Sequence, residues 1–379
     1  MTMKETIPSS QQDTVYMAEA IQLAWQGLYT TEPNPRVGCV LVKDGKIVGR
    51  GWHQKAGEGH AEVNAIRDAG DLAKGATAYV SLEPCSHFGK TGPCANALIT
   101  AGVTRVVAAM KDPNPEVSGS GFELLHKAGI QVESGLLEAQ AKALNIGFIK
   151  RMTQNRPFVR IKMATSVDGR TAMASGESQW ITGPHARADV QRLRARSSAV
   201  ISGIETVLHD NAALTVRANE LGLDNADEVA QRQPLRVILD SDARIPADAR
   251  LFTQTGPVLL VVSAKASVSD TLVRLSNVSI FRLPAESKRS VDCVLVELSR
   301  LGCNEVLVEA GAGVAGSFIQ QNCWDELVVY MAPKLMGSAA RPLANLPLTQ
   351  MSEVKDLALK DMRIIGDDLR ITYHPADTI

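Results

Sequence analysis

The imidazole of His60 and the thiols of Cys85 and Cys94, with the carboxylate of Glu62 two places after the imidazole, constrain this chain more than any other feature. Local patterning puts His60 and Glu62 at the start of one helix, Cys85 just past a strand and Cys94 at the start of another helix. A fold that uses them together must bring those three element ends to one point. Three N/S ligands leave one tetrahedral position of a zinc ion open for water, which marks a catalytic rather than a structural site. Glu62 need not bind metal; on a helix its side chain diverges from that of His60 and faces the water. Helix N-termini carry partial positive charge and favour the thiolates. The plainer alternative is a structural zinc, or a core histidine with incidental cysteines. The complete pattern in strand and helix context weighs against it.

A chain of 379 residues, 45% apolar, is too long for one ordinary core and predicts two domains. The net charge is −1 with both signs interspersed, so no field favours nucleic acid or an anionic membrane. No apolar run reaches the roughly 18 residues of a membrane span. Residues 1–14 are polar, lack the apolar stretch of a signal peptide and predict a flexible tail. Six cysteines are too few for a disulfide scaffold. Cys39, Cys293, Cys303 and Cys323 read as buried free thiols, and the cytoplasm as the compartment.

In the first half, apolar positions from Val15 to Trp25 recur at helical spacing. Lys43-Asp44-Gly45-Lys46, between two apolar runs, predicts a hairpin, because Asp-Gly accepts the positive φ of its turn. Alternating helices and strands follow to about Lys150 and predict helices layered on a largely parallel sheet. Polar Arg151 to Arg156, then Pro157, reads as the linker between a domain at 15–152 and another at 157–379. The second half predicts strands at 158–163, 199–202, 236–240, 258–262, 305–309 and 327–332, with helices at 185–195 and 314–322. Asn219 to Gln233 is polar and reads as a surface excursion.

The order His-x-Glu, Pro-Cys, Cys is that of the zinc deaminases, in which the glutamate shuttles protons during attack of activated water on a ring carbon. The gap between Cys85 and Cys94 is longer than the Cys-x-x-Cys of the simplest members, so the loop Ser86 to Pro93 is extended. Its Ser86-His87-Phe88-Gly89-Lys90-Thr91 offers a cation and donors suited to an anionic, phosphorylated substrate, although such a loop is more often a solvated turn.

Asn34-Pro35-Arg36-Val37-Gly38-Cys39, His60-Ala61-Glu62, Glu83-Pro84-Cys85-Ser86-His87-Phe88-Gly89-Lys90-Thr91 and Asp112-Pro113-Asn114-Pro115 resemble the bifunctional deaminase/reductase of riboflavin biosynthesis. The likeness continues through Lys162, Ser166 to Ala172, Ser175 to Thr182, Leu214 to Arg217, Val308 to Gly311 and Ala332 to Leu335. The resemblance implies an α/β chain with an N-terminal cytidine-deaminase-like αβα domain and a C-terminal α/β domain similar to dihydrofolate reductase. It implies hydrolytic deamination of 2,5-diamino-6-ribosylamino-4(3H)-pyrimidinone 5′-phosphate at ring C2. Reduction of the phosphoribosylamino side chain to ribitylamino by NADPH would follow. By motif match, His60, Cys85 and Cys94 would hold Zn2+, Glu62 would be the proton donor and acceptor, and Asn34, His87 and Lys90 would position substrate. Gly92 stands where the family more often has proline, and Asp210-Asn211-Ala212-Ala213-Leu214 replaces the family's Asp-Asp-Pro-x-Leu. These departures put in question the stiffness of the ligand loop and of the segment facing the cofactor.

In the second half, Gly311-Ala312-Gly313-Val314-Ala315-Gly316 between a strand and an apolar helix is a Gly-x-Gly-x-x-Gly, where bare backbone and a helix N-terminus accept a pyrophosphate. Alone the motif is weak, since glycine turns are common. The absence of an acid after the next strand is compatible with NADP. The guanidinium forks of Arg194 and Arg217 suit phosphate oxygens, although arginine more often lies on the surface. The family match implies Ser178, Arg194, Leu214, Arg217 and Glu309 for substrate. For cofactor it implies Ala164, Trp180, Thr206, Asp210, Ser241, Gly311, Ala312, Gly313, Val314, Ala315, Gly316 and Ser317. Packing under a loop also explains Trp180, and a tight turn also explains Asp168-Gly169. Lys162 is only a candidate for the reductase chemistry.

The expected partners are a small phosphorylated pyrimidine and further copies of the chain, as a dimer or tetramer, with no nucleic acid and no membrane. The competing enzyme reading is a nucleoside or tRNA-adenosine deaminase fused to an unrelated nucleotide-binding domain. A tRNA partner calls for a basic surface, which the charge balance does not supply. A zinc-stabilised nucleotide sensor is the non-enzymatic reading, and it has no use for Glu62.

Overall fold

The computed structural model describes residues 11–86, 92–115, 117–285 and 290–376. The chain divides into two compact units, one up to Asn155 and one from Arg156. The expected linker is shorter than its polarity implied. Helix α6 (Ile146–Gln154) carries Arg151 to Gln154, and Asn155 caps it at φ 53°, a left-handed conformation that asparagine tolerates.

The first unit runs α1 (Gln11–Trp25), β1 (Gly38–Lys43), β2 (Lys46–Trp52), α2 (Ala61–Ala69), β3 (Thr77–Val80), α3 (Cys94–Thr100), β4 (Arg105–Ala108), α4 (Ser120–Lys127), β5 (Gln131–Ser134), α5 (Glu138–Leu144) and α6. The flexible tail expected over 1–14 is corrected at its end: α1 starts at Gln11, and buried Asp13 pairs with Arg105 at 2.9 Å. The sheet order is β2-β1-β3-β4-β5, with β1 antiparallel to both neighbours and β3, β4 and β5 parallel. Asp44 and Gly45, at φ 49° and 71°, make the hairpin turn. Strand alternation sends Cys39 and Leu41 to one face, under α2, α3 and α4, and Val40 and Val42 to the other, under α1 and α5. Two cores result, in an αβα sandwich. A Cβ on Gly51 would meet the Ala61 carbonyl oxygen at 2.3 Å, so glycine lets β2 press on the first turn of α2 and fixes where His60 and Glu62 lie.

The second unit runs β6 (Phe158–Ser166), β7 (Arg170–Ala172), α7 (Pro184–Arg196), β8 (Ala199–Gly203), α8 (Ile204–Asp210), α9 (Ala218–Leu221), α10 (Ala226–Gln231), β9 (Leu235–Leu239), β10 (Val258–Val262), α11 (Asp270–Val273), β11 (Val278–Arg282), α12 (Val291–Arg300), β12 (Glu305–Val308), α13 (Ala312–Gln320), β13 (Glu326–Ala332), β14 (Arg341–Pro342), β15 (Leu357–Ile365) and β16 (Asp368–Pro375). Nine strands form one sheet, β11-β10-β9-β8-β12-β6-β13-β16-β15, parallel as far as β13 and antiparallel through β16 and β15. Helices α12 and α13 cover one face and α7 and α8 the other. The six expected strands are present. The 219–233 segment is no mere surface excursion, because α9 and α10 bury Leu221 and Val229. Strands β11, β15 and β16 lie outside the sequence-based expectations. Among the described residues no helix is long and apolar enough to cross a membrane.

Candidate active sites

The start of α2, the end of β3 and the start of α3 converge as the ligand spacing requires. His60 precedes α2 as its N-cap residue in extended backbone, and Cys94 is the first residue of α3. His60 Nδ1 lies 3.1 Å from Cys94 Sγ and 3.5 Å from Cys85 Sγ, and all three ligand atoms fall within 4.8 Å of one another. A tetrahedral zinc with bonds of about 2.0–2.1 Å to N and 2.3 Å to S needs N to S separations of about 3.6 Å. The donor set fits zinc with little adjustment. Cys94 Sγ and His60 donate to Cys85 Sγ, as does the Cys94 backbone N–H at 3.3 Å, and the Cys85 thiol is lowered to about 4. The same donation raises Cys94. Glu62 is buried and its carboxyl interacts with the Cys94 side chain, so it faces the cluster and not solvent. Burial, then the neighbouring Cys85, raises it to about 7. A cation at the cluster would lower it again.

Two residues with no assigned role in the sequence reading build this site. His53 is buried edge-on to His60, ring centroids 5.3 Å apart. Its Nδ1–H donates to the Gly59 carbonyl oxygen, and its Nε2 accepts from Asn34 Nδ2 at 3.1 Å. Burial lowers its pKa, which keeps the ring neutral for that accepting role. Asn34 thus reaches the cluster through His53. Glu83, before Pro84-Cys85, accepts N–H bonds from Asp112, Gly119 and Gly121 at 3.0 Å each, pinning the loop after β4 beside the ligands. Nothing in the local pattern around either residue signals these partners. His87 and Lys90 lie outside the described residues, and Gly92 has open space around its Cα.

In the second unit, β9, β8, β12 and β6 are adjacent and parallel. Their C-terminal ends therefore share one sheet edge, where ligands of open α/β sheets bind. That edge carries Ser241, Thr206 in the first turn of α8, Glu309, the Gly311–Gly316 run and half-buried Ala164. Gly311 caps α13 at φ −71°, so the first glycine serves no left-handed turn. A Cβ on Gly311 or Gly313 would meet nothing within 4 Å, whereas one on Gly316 would strike the Asn345 carbonyl oxygen at 2.3 Å. The first two glycines leave room for a ligand. The third lets residues around Asn345 cross the helix. Ser317 hydroxyl donates to the Gly313 carbonyl oxygen, and Val314 packs against Gly203.

Neither arginine expected to bind phosphate presents a bare fork. Arg194 grips Glu309 through Nε at 2.6 Å and Nη2 at 2.9 Å, and donates to the Thr215 carbonyl oxygen. Arg217 binds Glu220 with two bonds of 2.6 Å. Half-buried Lys162 stands by Glu309 and Arg194; burial lowers its pKa against the pull of Glu309. Asp210 is exposed at the end of α8. The unusual segment after it is pinned: Asn211 accepts from the Arg250 N–H, Leu214 is buried, and Gln233 brackets the Val216 backbone. Asn211 at φ 44° and Leu214 at φ 54° are left-handed. Trp180 is exposed, with Arg187 over its ring at 4.5 Å, and its carbonyl oxygen accepts from Lys334. Ser178 is half-buried on the same loop. Gly169, at φ 73°, makes the expected turn, while the Asp168 carboxylate also accepts from the Met336 and Gly337 N–H groups.

Residues 10–110 match the model of the cytidine and deoxycytidylate deaminase zinc-binding region, and residues 157–371 match that of the RibD C-terminal domain. The chain is 50% identical over 370 residues to a riboflavin biosynthesis protein RibD of Haemophilus influenzae, covering 97% of this chain and 98% of that one. To the Escherichia coli RibD it is 49% identical over 364 residues, covering 94% and 98%. A solved RibD structure from Acinetobacter baumannii superposes with a TM-score of 0.90 at 45% identity, over 97% of this chain and 99% of that one. The deaminase/reductase structure from Thermotoga maritima gives 0.82 at 34% identity, over 96% and 99%. Both halves match together in single proteins, which removes the reading of a deaminase fused to an unrelated domain.

Proposed function

This chain belongs to the RibD family of riboflavin biosynthesis proteins and is a bifunctional deaminase and reductase; from that premise we propose which residues perform each step and on what. The deaminase is assigned to residues 15–152 and the reductase to 157–379. The first substrate is 2,5-diamino-6-ribosylamino-4(3H)-pyrimidinone 5′-phosphate, and the second is its deaminated product, 5-amino-6-(5-phosphoribosylamino)uracil. The convergence of His60, Cys85 and Cys94 with Glu62 buried beside them carries the proposal.

His60 Nδ1, Cys85 Sγ and Cys94 Sγ would hold zinc, which when bound supplies a Lewis acid that lowers the pKa of water. The Glu62 carboxylate takes a proton from the attacking water as its oxygen bonds to ring C2. It returns that proton to the amino nitrogen as the C–N bond breaks and ammonia leaves. Asn34, oriented by His53, positions the pyrimidine, with His87 and Lys90 contributing from the ligand loop.

The exposed backbone of Gly311 and Gly313 at the start of α13 fits a dinucleotide pyrophosphate. NADPH bound there, with Ala164, Trp180, Thr206, Asp210, Ser241, Ala312, Val314, Ala315, Gly316 and Ser317, supplies hydride. Ser178, Leu214 and Arg217 border the substrate, while Arg194 acts through Glu309. None of the six cysteines is in a disulfide, which suits a cytoplasmic enzyme, and the family assignment suits a homo-oligomer. The test is incubation of zinc-loaded protein with the diaminopyrimidine ribotide, following products by mass. Exchange of amine for carbonyl without NADPH, and uptake of two hydrogens only with it, supports both assignments. Hydrogen uptake without prior deamination rejects the order.

A further inference from the structure

The carboxylates that fill the Arg194 and Arg217 forks differ in how firmly each is held. Glu309 is 9% exposed, and its backbone is tied to β8. Its N–H donates to the Ile201 carbonyl oxygen, and its own carbonyl oxygen accepts from the Ser202 hydroxyl. Its pair with Arg194 is a fixed part of the fold. Glu220 is 34% exposed and lies on the four-residue helix α9. Buried Leu221 anchors that helix, so the Glu220 side chain can turn away while its backbone stays.

Arg217 is fixed as well. Its backbone N–H donates to Gln191 Oε1 at 3.0 Å, and Gln233 brackets the preceding Val216. Gln191 stands between Arg187 and Arg194 on α7, at spacings of four and three that put all three on one face. That face meets the 215–217 segment, where Arg194 donates to the Thr215 carbonyl oxygen. Glu220 therefore sits in a field of three arginines. Its carboxyl lies below the usual glutamate range, first through the bonds from Arg217, against its partial burial, and then through the charges of Arg217, Arg194 and Arg187. An exposed ion pair alone says little. This one closes a fork around which further cations gather, and its two oxygens, 2.6 Å from Nε and Nη2, sit as two phosphate oxygens would.

We propose that Glu220 is an internal substitute for the substrate's 5′-phosphate, holding the Arg217 fork until the phosphate displaces it. The proposal rests on the assignment of Arg217 to the substrate made above. A phosphate group brings close to two negative charges and three oxygens, against one charge and two oxygens for the carboxylate. Among three arginines it wins the exchange. A sugar hydroxyl brings neither advantage and leaves the pair closed. Displacing Glu220 lowers the net affinity for every anion, and a phosphate regains the most, so Glu220 sharpens the demand for a phosphorylated substrate.

NADPH oxidation by the full chain tests this, with 5-amino-6-(5-phosphoribosylamino)uracil as substrate and inorganic phosphate as competing anion. Glu220→Gln should lower the KM for the ribotide and the inhibition constant of phosphate, each about two- to fivefold, the worth of a partly exposed ion pair. Glu228→Gln, which removes the same charge from neighbouring α10, should move neither. Arg217→Met should raise the KM. If it does while Glu220→Gln changes nothing, the substitute role is overturned and the assignment of Arg217 stands. If the KM is indifferent to Arg217→Met, both fall. An equal gain in Glu228→Gln also overturns the proposal, because it marks a general effect of charge. Should Glu220→Gln fail to fold, wild-type crystals soaked with the ribotide decide. The phosphate should lie on Arg217 with the Glu220 carboxylate turned to solvent, and a phosphate bound with that pair still closed overturns the proposal.

Discussion

Arg194 and Glu309, 115 residues apart in sequence, hold each other edge to edge just past the C-terminal end of β12. Both are nearly buried, and Glu309 sits below the usual glutamate range: burial alone would raise it, but Arg194 outweighs that. Removing one partner of a buried pair leaves an uncompensated charge and costs about 3–5 kcal/mol. Arg194→Met should therefore lower the urea midpoint of the reductase unit and reduce NADPH oxidation, with ammonia release unchanged. An unchanged midpoint would show that Arg194 is not the group neutralising Glu309.

Glu62 is the group whose loss separates metal binding from chemistry. Its carboxyl faces the ligand cluster without belonging to the three ligand atoms. Glu62→Gln keeps the size and loses the proton acceptor, and general acid–base catalysis is typically worth about 10²–10⁴ in rate. Zinc content by atomic absorption should stay at wild-type level and the reductase should keep its rate, while ammonia release disappears. Normal ammonia release from this variant would reject the assigned role.

How much of this was legible in the sequence follows from the range of each interaction. The Asp44-Gly45 turn and the helices from His60 and Cys94 are local, so spacing alone placed them. The zinc ligands were legible because their short motifs sit at element ends. His53 and Glu83 were not, since Asn34 beside His53 and the N–H groups that bind Glu83 come from separate loops and no local pattern marks them. The last hairpin escaped because the Lys360 bulge breaks the period of two that identifies a strand. Arg194 and Arg217 were expected as phosphate ligands, but a sequence cannot show that carboxylates already fill both forks.

The glycines opening α13 divide into two kinds, and alanine should separate them. Gly313 has open space where a Cβ would stand, while at Gly316 the Asn345 backbone lies 2.3 Å from it. Gly313→Ala should leave thermal stability within about 1 kcal/mol of wild type, the difference in helix propensity, and raise KM for NADPH with kcat nearly unchanged. Gly316→Ala forces residues around Asn345 away, an overpacking cost of about 1–3 kcal/mol, read as a lower melting temperature. If Gly313→Ala leaves KM unmoved, the pyrophosphate does not approach that turn.

Acid should weaken the second unit through Glu326. Arg160 Nε holds its Oε1 at 2.8 Å and Lys360 lies 3.5 Å from Oε2. Burial would raise this carboxyl, but Arg160, then Lys360 and Arg196, bring it down to about 2. A carboxylate depressed in the folded state stabilises fully above its unfolded pKa of about 4.3, and loses that contribution as pH falls toward the folded value. The shift corresponds to roughly 3 kcal/mol, present at neutral pH and draining away between about pH 4.3 and 2. Urea midpoints measured from neutral pH down through that window should fall for wild type. In Glu326→Gln, which starts lower because Arg160 keeps only Glu305, the fall should be shallower. Parallel pH profiles for the two proteins would show that the Glu326 ion pairs do not supply this stability.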